Sequence, residues 1–295
     1  MRIRFCTLSI LILVGLAGFS EAPAKGRGLV NTSSSPNVTF RSVDLDSVKW
    51  TRGLWADRFV VCRSTMVPNM WELLSNPEFS HAYANLRVAA GLQEGRHRGP
   101  GWSDGDLYKW LEAAASVYVL RPDPDLGDLM DEVIAVIEKA QREDGYIHTP
   151  VLIAQRNGDD EAKPFQDPRE FEMYNFGHLM TAACVHHRAT GKTSLLGVAT
   201  KACDYLDAYF KEPTPELAVH GICPSHYMGL VEIYRTTGER RYLALAQRLF
   251  DMRDRVENGT DDNQDRIPFR RQREAVGHAV RANYLYCGAA DLYAE

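Results

Sequence analysis

The feature that most constrains the fold is an internal repeat with an offset of 47 residues. The segment "RATGKTSLLGVATKACDYL", which begins at Arg188, reappears as "RTTGERRYLALAQRLFDMR", which begins at Arg235. Each copy places a Thr-Gly pair between two stretches of helical periodicity, where a glycine commonly ends a helix. The repeated unit is therefore a helix, a tight turn and a second helix. Such units form either an open solenoid or a ring of hairpins, and the periodicity alone does not distinguish the two.

Helical periodicity extends over most of the chain, whereas the period-two alternation of half-buried strands is nearly absent. One apolar stripe runs from Leu107 to Tyr118, and another runs from Leu129 to Ile137. The sequence therefore predicts an all-α chain. Helices are predicted near residues 57–75, 105–120, 125–141, 172–190, 194–210, 224–237, 240–256 and 277–294.

Two connections are much longer than the Thr-Gly turns. They cover residues 141–169 and 256–276. The second joins helices one full hairpin further on than the first, which allows both connections to lie on the same rim, and long loops on one rim commonly carry function. We expect a functional site at this rim.

The first 24 residues have the pattern of a secretory signal peptide: two arginines, an apolar run and then small residues suited to cleavage. Residues 25–42 are rich in Ser and Gly and are predicted to be a flexible leader. The globular part is expected to cover residues 43–295. No later segment approaches the ~20 apolar residues that span a bilayer. The sequence predicts an exported protein, secreted or periplasmic, without a membrane association after cleavage.

Charge and cysteine content exclude several classes of protein. The net charge of −5 becomes about −6 without the predicted signal peptide, and basic residues are scattered singly, so a nucleic-acid partner is not expected. Beyond the signal peptide the five cysteines lie far apart. They form neither a disulfide framework nor the short-spaced pairs of a metal site, and buried thiols are the simpler interpretation. No metal site is predicted within this chain.

Polar residues, aromatics and glycines meet in "GWSDGDLYKWLE" and "DGYIHT". Asp104 precedes an apolar helix, so it either caps that helix or is a rim carboxylate beside Trp102, where an aromatic face suits a sugar ring. Tyr146 follows an Asp-Gly turn signal and is the natural anchor of its loop. For His148 the sequence leaves both a structural role and a site role open.

Three histidines are candidates for the site. His178 shares a helix with Tyr174 in "FEMYNFGHL", and a lone histidine on such a helix is either a core residue or a ligand-binding group. His226 opens a helix after Pro224, where free N–H groups would make a polar mouth. His278 follows Gly277 at another helix start after a long loop.

Five segments, taken in order, resemble the β-L-arabinofuranosidase-type glycoside hydrolases. They are "HAYANLRVAAG" from His81, "DGDLYKWLEAAA" from Asp104, "DGYIHTP" from Asp144, "EMYNFGHLMTAA" from Glu172 and "GHAVRANYLY" from Gly277. The resemblance implies an (α/α)6 barrel followed by β-sandwich domains. It also implies a retaining mechanism with a zinc-bound cysteine as nucleophile, in which three cysteines and a glutamate hold the zinc.

In that family the zinc ligands and catalytic glutamates follow the "GHAVR" segment, so the catalytic residues are expected beyond Glu295. The eight predicted helices are two thirds of the twelve that a closed barrel contains, which implies an incomplete barrel truncated at its C-terminus. Zinc is expected in the full-length enzyme and none in this chain. Expressed alone, the chain is expected to be an inactive fragment that is either aggregation-prone or only loosely packed, because apolar faces stay uncovered.

His278 matches the histidine of "GHAVR" that contacts the sugar in the family. Two other positions depart from the family pattern, since Phe171 stands where a histidine precedes "EMY", and Cys223 stands at the histidine of a "GHPE" segment. Two of the residues that contact the sugar in the family are therefore different in this chain. The predicted substrate-binding residues, expected to converge on one concave face, are His278, Asp104, Tyr174, His178 and His226.

The leading hypothesis is thus an exported glycoside hydrolase with a carbohydrate substrate. One alternative is a non-catalytic carbohydrate-binding helical-repeat protein, for which the absence of catalytic residues is the natural state. Another is an α/α-barrel lyase or epimerase that acts on uronic sugars.

Overall fold

The computed structural model describes residues 27–295, and the predicted signal peptide lies outside the described residues. The described part is all-α, as predicted, and its one β-bridge joins Gly28 to Asp44. The helices are α1 (Leu54–Val61), α2 (Val67–Ser75), α3 (Ala82–Ala89), α4 (Ser103–Leu120), α5 (Pro124–Ala140), α6 (Thr149–Arg156), α7 (Glu172–Thr190), α8 (Ser194–Tyr209), α9 (Pro215–Ala218), α10 (His226–Thr237), α11 (Arg240–Met252) and α12 (Ala279–Ala294).

The helices form two layers. In the inner layer α2, α4, α7, α10 and α12 pack side by side in that order, and in the outer layer α3, α5, α8 and α11 lie behind them. Successive hairpins pair one inner helix with one outer helix, so the arrangement is the curved wall of an (α/α)6 barrel. The apolar stripes meet between the layers, where Leu107, Leu111 and Ile137 are fully buried.

The eight predicted helices all exist, with ends shifted by a few residues. The repeat corresponds to the turns between α7 and α8 and between α10 and α11. There Gly191 and Gly238 end the inner helices with φ of 75° and 79°, a conformation that glycine adopts without strain. The prediction missed the short helices α3, α6 and α9. A turn of π-helix, Cys62–Met66, also joins α1 to α2 within one predicted helix.

The far end of the wall is held by a buried ion network. Arg235 pairs with Glu232 at 2.6 Å, with Asp291 at 2.7 Å and with Glu295 at 2.5 Å, which joins α10 to α12. Arg188 of α7 pairs with the same Glu232 at 2.5 Å. The carboxyl ends of three inner helices are therefore fixed to one another by charges that are largely removed from water.

The described part of the predicted leader contacts this same end. The Arg188 guanidinium donates to the carbonyl oxygens of Gly28 and Leu29, and the backbone N–H of Asn31 donates to the Glu232 carboxylate. The backbone N–H of Asn37 donates to the Ala294 carbonyl at the end of α12. Residues 27–37 thus lie against α7, α10 and α12; their flexibility stays a prediction.

None of the helices within residues 27–295 combines the length and apolar character needed to cross a bilayer.

Candidate functional site

The amino ends of the inner helices lie at one rim. Each inner helix is followed by an outer helix that returns the chain, so α4, α7, α10 and α12 all run in the same direction. Their N-cap residues are Trp102, Phe171, Ser225 and His278. The positive ends of four helix dipoles therefore meet at this rim, which suits polar ligands.

One face of α7 carries Tyr174, His178 and Thr181. These positions follow a spacing of four and three residues, so their side chains point to one side of the helix. The ring of Phe171, just before the first helical residue, lies 6.3 Å from the Tyr174 ring. Glu172 points elsewhere: its carboxylate accepts hydrogen bonds of 2.6 Å from the Tyr146 hydroxyl and from the Phe165 amide. Tyr174 and His178 thus share a face that Glu172 does not.

Tyr174 meets a charged pair from α4. Lys109 Nζ donates to the Tyr174 hydroxyl at 2.6 Å and lies 2.8 Å from the Asp106 carboxylate. Burial opposes the charge on Lys109, but hydrogen bonds to Asp106 and Tyr174 hold its pKa above the usual value. Lys109 is therefore a fixed cation whose position depends on both partners. Asp106 and Lys109 also line a groove of about 520 Å³ between α4 and the α1–α2 helix.

His178 meets α12. Its Nε2 lies 3.1 Å from the Tyr284 hydroxyl, and its ring packs edge-on against Tyr174 with centroids 4.5 Å apart. Burial, with a smaller contribution from Lys109, lowers the pKa of His178 to about 3. Burial raises the pKa of Tyr284 to about 12. Both groups are neutral near pH 7, so they can donate or accept hydrogen bonds without carrying charge.

These residues form a continuous polar and aromatic surface on the inner wall. We call it the inner-face cluster; its members are Asp106, Lys109, Tyr174, His178 and Tyr284. Two of the five sequence-predicted site residues belong to it. Fixed hydrogen-bonding groups beside aromatic faces are suited to a small polyhydroxylated ligand, because they orient it without a buried unpaired charge.

Asp104 does not lie on this surface. It is fully buried, and its carboxylate accepts hydrogen bonds from the Thr149 amide at 2.8 Å and from the Thr149 hydroxyl at 2.6 Å. The sequence predicted either a cap on its own helix or a rim carboxylate. Instead Asp104 of α4 holds the first residue of α6, and His148 Nδ1 lies 3.7 Å from the same carboxylate.

His226 is also buried, with 1% of its surface exposed, rather than at a polar mouth. Burial, followed by the nearby Arg253, lowers its pKa to about 3. The neighbouring Ser225 hydroxyl donates to the Tyr174 carbonyl at 2.9 Å, which packs the start of α10 closely against α7. In this arrangement His226 lies inside the packing between helices.

His278 is exposed at the start of α12, on the same rim as the predicted site. Its backbone amide donates to the Asp262 carbonyl, and the preceding Gly277 has φ of 74°. A Cβ on Gly277 would lie 1.8 Å from the Asp261 carbonyl oxygen, so only glycine permits this approach to the loop. His278 lies six residues before Tyr284, and the hydrogen bonds of the described residues do not connect its side chain to the inner-face cluster.

Sequence reasoning missed Lys109 and Tyr284. Lys109 follows Trp102 and Asp106 at intervals of seven and three residues, so a search for polar residues on one helix face would have found it. Tyr284 offers no comparable signal, because its role depends on α12 packing beside α7.

The five cysteines of the described chain are free, and two of them lie in the apolar core. Cys184 and Cys203 are buried in the apolar core, where burial raises the pKa of Cys184 to about 12 and that of Cys203 well above its usual value. Across residues 27–295 no group of three His, Cys, Asp or Glu side chains is arranged to hold a metal ion. These thiols do not fit the ligand set that the family resemblance implies.

Comparison with known proteins supports the family resemblance. Residues 47–295 match the family model described as "Beta-L-arabinofuranosidase, GH127 catalytic domain". The chain is 38% identical over 236 residues to a non-reducing end β-L-arabinofuranosidase of Bifidobacterium longum subsp. longum, an alignment that covers 72% of this chain and 36% of that protein.

Solved structures of glycoside hydrolases are also similar to this chain. One, described as a glycoside hydrolase, is 47% identical with a TM-score of 0.71 and covers 92% of this chain and 37% of its own. A GH127 β-L-arabinofuranosidase from Geobacillus stearothermophilus T6 is 32% identical with a TM-score of 0.73, and covers 83% of this chain and 42% of its own. The chain thus spans between 36% and 42% of the length of these relatives.

Proposed function

The chain belongs to the GH127 β-L-arabinofuranosidase family of glycoside hydrolases, and from this premise we propose that its inner-face cluster binds a terminal β-L-arabinofuranosyl group. The proposal includes export from the cytoplasm to a secreted or periplasmic location, which the sequence pattern of residues 1–24 supports. It also includes a retaining mechanism in the complete enzyme.

The observation that carries the proposal is the pair of tyrosine hydrogen bonds across the inner wall. Tyr174 is held by Lys109, and Tyr284 is held by His178. Each tyrosine hydroxyl has a second hydrogen-bonding position that a sugar hydroxyl can occupy. The rings provide apolar surface for the C–H faces of the sugar, so the cluster matches both sides of a carbohydrate.

We place the catalytic groups outside these 295 residues. A retaining hydrolysis needs a nucleophile and a separate acid/base near the anomeric carbon. The buried thiols of Cys184 and Cys203 are unsuited to either role, because burial disfavours the reactive thiolate. The less buried Cys62, Cys223 and Cys287 belong to no group of three metal-ligating side chains within residues 27–295. The relatives are more than twice as long as this chain, which leaves room for the zinc and cysteine residues that the family resemblance implies.

His278 is proposed to contribute from the rim by donating a hydrogen bond to a sugar hydroxyl. Its exposure at the start of α12 supports this role. In the complete enzyme His278→Ala should weaken transition-state binding by about 1–3 kcal/mol, with little change in melting temperature. A collapse of the melting temperature with activity per folded molecule retained would remove His278 from the site.

A binding experiment on this chain tests the proposal directly. Methyl β-L-arabinofuranoside is titrated by ligand-observed NMR, with its α-anomer as the stereochemical control. Tyr284→Phe removes only the hydroxyl that meets His178 and should weaken binding by about 1–2 kcal/mol. The matched control is Tyr286→Phe on the same helix, whose ring lies near Phe269.

Equal binding of the two anomers, or identical affinities for the two tyrosine variants, would contradict the proposed site. The same preparation should contain no stoichiometric zinc and should release no nitrophenol from aryl β-L-arabinofuranoside. Bound zinc or turnover would show that the catalytic groups lie within these residues.

A further inference from the structure

An aromatic pair stands at the rim above the inner-face cluster. Trp102 at the start of α4 and Phe171 at the start of α7 pack edge to face, with ring centroids 5.3 Å apart and planes at 82°. Trp102 is 44% exposed, although it is among the largest apolar side chains. An indole held in a fixed orientation with an open surface offers stacking area at little cost in conformational entropy.

The backbone of Phe171 is in a conformation unusual for its residue type. Its φ of 59° and ψ of 34° are left-handed, and a bulky residue rarely adopts them. Glycine or asparagine would fit this position with less strain. The strained geometry turns the Phe171 ring toward both Trp102 and Tyr174, whose centroid is 6.3 Å away. Such an outlier is a reason to look for function.

A carboxylate lies beside the aromatic pair. A Cβ on Gly101 would come 2.1 Å from Glu170 Oε2, so this carboxylate lies directly over the backbone that precedes Trp102. Among the hydrogen bonds and ion pairs of residues 27–295, none engages the Glu170 carboxylate. Its oxygens are therefore available to accept hydrogen bonds from ligand hydroxyls.

These three residues, Trp102, Glu170 and Phe171, form what we call the rim platform. It is continuous with the inner-face cluster, since the Phe171 and Tyr174 rings lie with centroids 6.3 Å apart. The seven residues from Phe171 to His178 correspond to about 10 Å along the helix axis. That separation accommodates neighbouring rings of one oligosaccharide.

We propose that the rim platform is a second sugar position, which holds the ring to which the terminal arabinofuranosyl group is attached. Trp102 stacks on one face of this ring, Phe171 fixes the indole, and Glu170 accepts a hydrogen bond from one of its hydroxyls. The inference rests on the proposed function, because it assumes that the inner-face cluster holds the first sugar.

The experiment compares a one-ring and a two-ring ligand on the same protein. Methyl β-L-arabinofuranoside and a disaccharide with a terminal β-L-arabinofuranosyl group are titrated by ligand-observed NMR. Wild type should bind the disaccharide more tightly. Trp102→Ala should weaken disaccharide binding by about tenfold, as expected for loss of an aromatic contact surface, and should leave the methyl glycoside within about twofold.

Two further variants keep the result interpretable. Phe171→Asn suits the left-handed backbone, so it should fold normally and still lose most of the gain from the second ring. Tyr293→Ala, at the opposite end of α12 and 76% exposed, is the matched control and should bind both ligands like wild type.

The possible failures are distinct. If wild type binds neither ligand, the proposed function fails and the rim platform fails with it. If wild type binds both ligands equally, the proposed function stands and the second position is refuted. If Trp102→Ala weakens both ligands to the same degree, Trp102 belongs to the first sugar position and the inference is again refuted.

Discussion

Replacing Asp104 with asparagine tests whether this residue holds two helices together. Both carboxylate oxygens accept hydrogen bonds from Thr149, at 2.8 Å from the amide and at 2.6 Å from the hydroxyl, in a fully buried setting. Asparagine has nearly the same shape but only one acceptor oxygen, so its amide group faces one Thr149 donor. Leaving a buried donor unpaired costs about 1–3 kcal/mol. We expect the unfolding free energy of Asp104→Asn to fall by about 2 kcal/mol.

The assay is urea unfolding followed by circular dichroism, with thermal melting as a second measurement. For a chain of this size, 2 kcal/mol corresponds to a decrease in melting temperature of about 4–8 °C. The matched control is Asp106→Asn, because that carboxylate is 42% exposed and its ion pair with Lys109 should contribute less than about 1 kcal/mol. Unchanged stability of Asp104→Asn together with weaker sugar binding would refute the structural role and favour the site role predicted from sequence.

Three further changes test the packing. Below pH 6.5 the unfolded chain binds a proton that folded His226, with a pKa of about 3, does not bind. Wild type should therefore lose stability relative to His226→Gln by about 1.4 kcal/mol per pH unit between pH 6 and 4, and parallel urea curves would contradict this. Gly145→Ala should lower the unfolding free energy by more than about 1 kcal/mol, because φ is 95° and a Cβ would lie 2.2 Å from the Lys201 carbonyl. The matched control Gly197→Ala lies in open space within α8 and should raise the unfolding free energy by about 0.5–1 kcal/mol. Arg235→Met should cost about 3–5 kcal/mol in urea unfolding by leaving buried carboxylates unpaired, and a cost below 1 kcal/mol would show that water reaches the network.

Local sequence signals were sufficient for the existence of the long helices and for the carboxyl ends of two of them. The Thr-Gly pairs correctly located the carboxyl ends of α7 and α10, since Gly191 and Gly238 both adopt the left-handed conformation there. These properties depend on residues a few positions apart, so they can be derived without knowledge of the fold.

The short helix α6 could not be predicted in the same way. It has eight residues, too few to be stable alone, and its first residue is held by Asp104, 45 positions earlier in the chain. The segment therefore resembled an ordinary long loop. The same contact explains why Asp104 is buried, whereas the sequence predicted either a cap on its own helix or a rim carboxylate.

The side of the helix on which each histidine lies could not be predicted from the sequence either. An inner helix packs against the outer layer behind it and against neighbours on both sides, so most of its faces are buried and periodicity says little about which side a residue takes. His178 faces the wall surface, while His226 at the start of α10 lies within the packing. Both are histidines on mostly apolar helices, and only the positions of the neighbouring helices distinguish them.

The sequence thus determined the helical hairpins, their turns and their repetition, because each depends on contacts within about one helical turn or on backbone freedom at a single glycine. The tertiary structure decided which polar groups meet. Lys109 reaches Tyr174 across 65 residues, and His178 reaches Tyr284 across 106. These pairs exist because the inner helices run parallel and place residues from distant segments at the same depth below one rim.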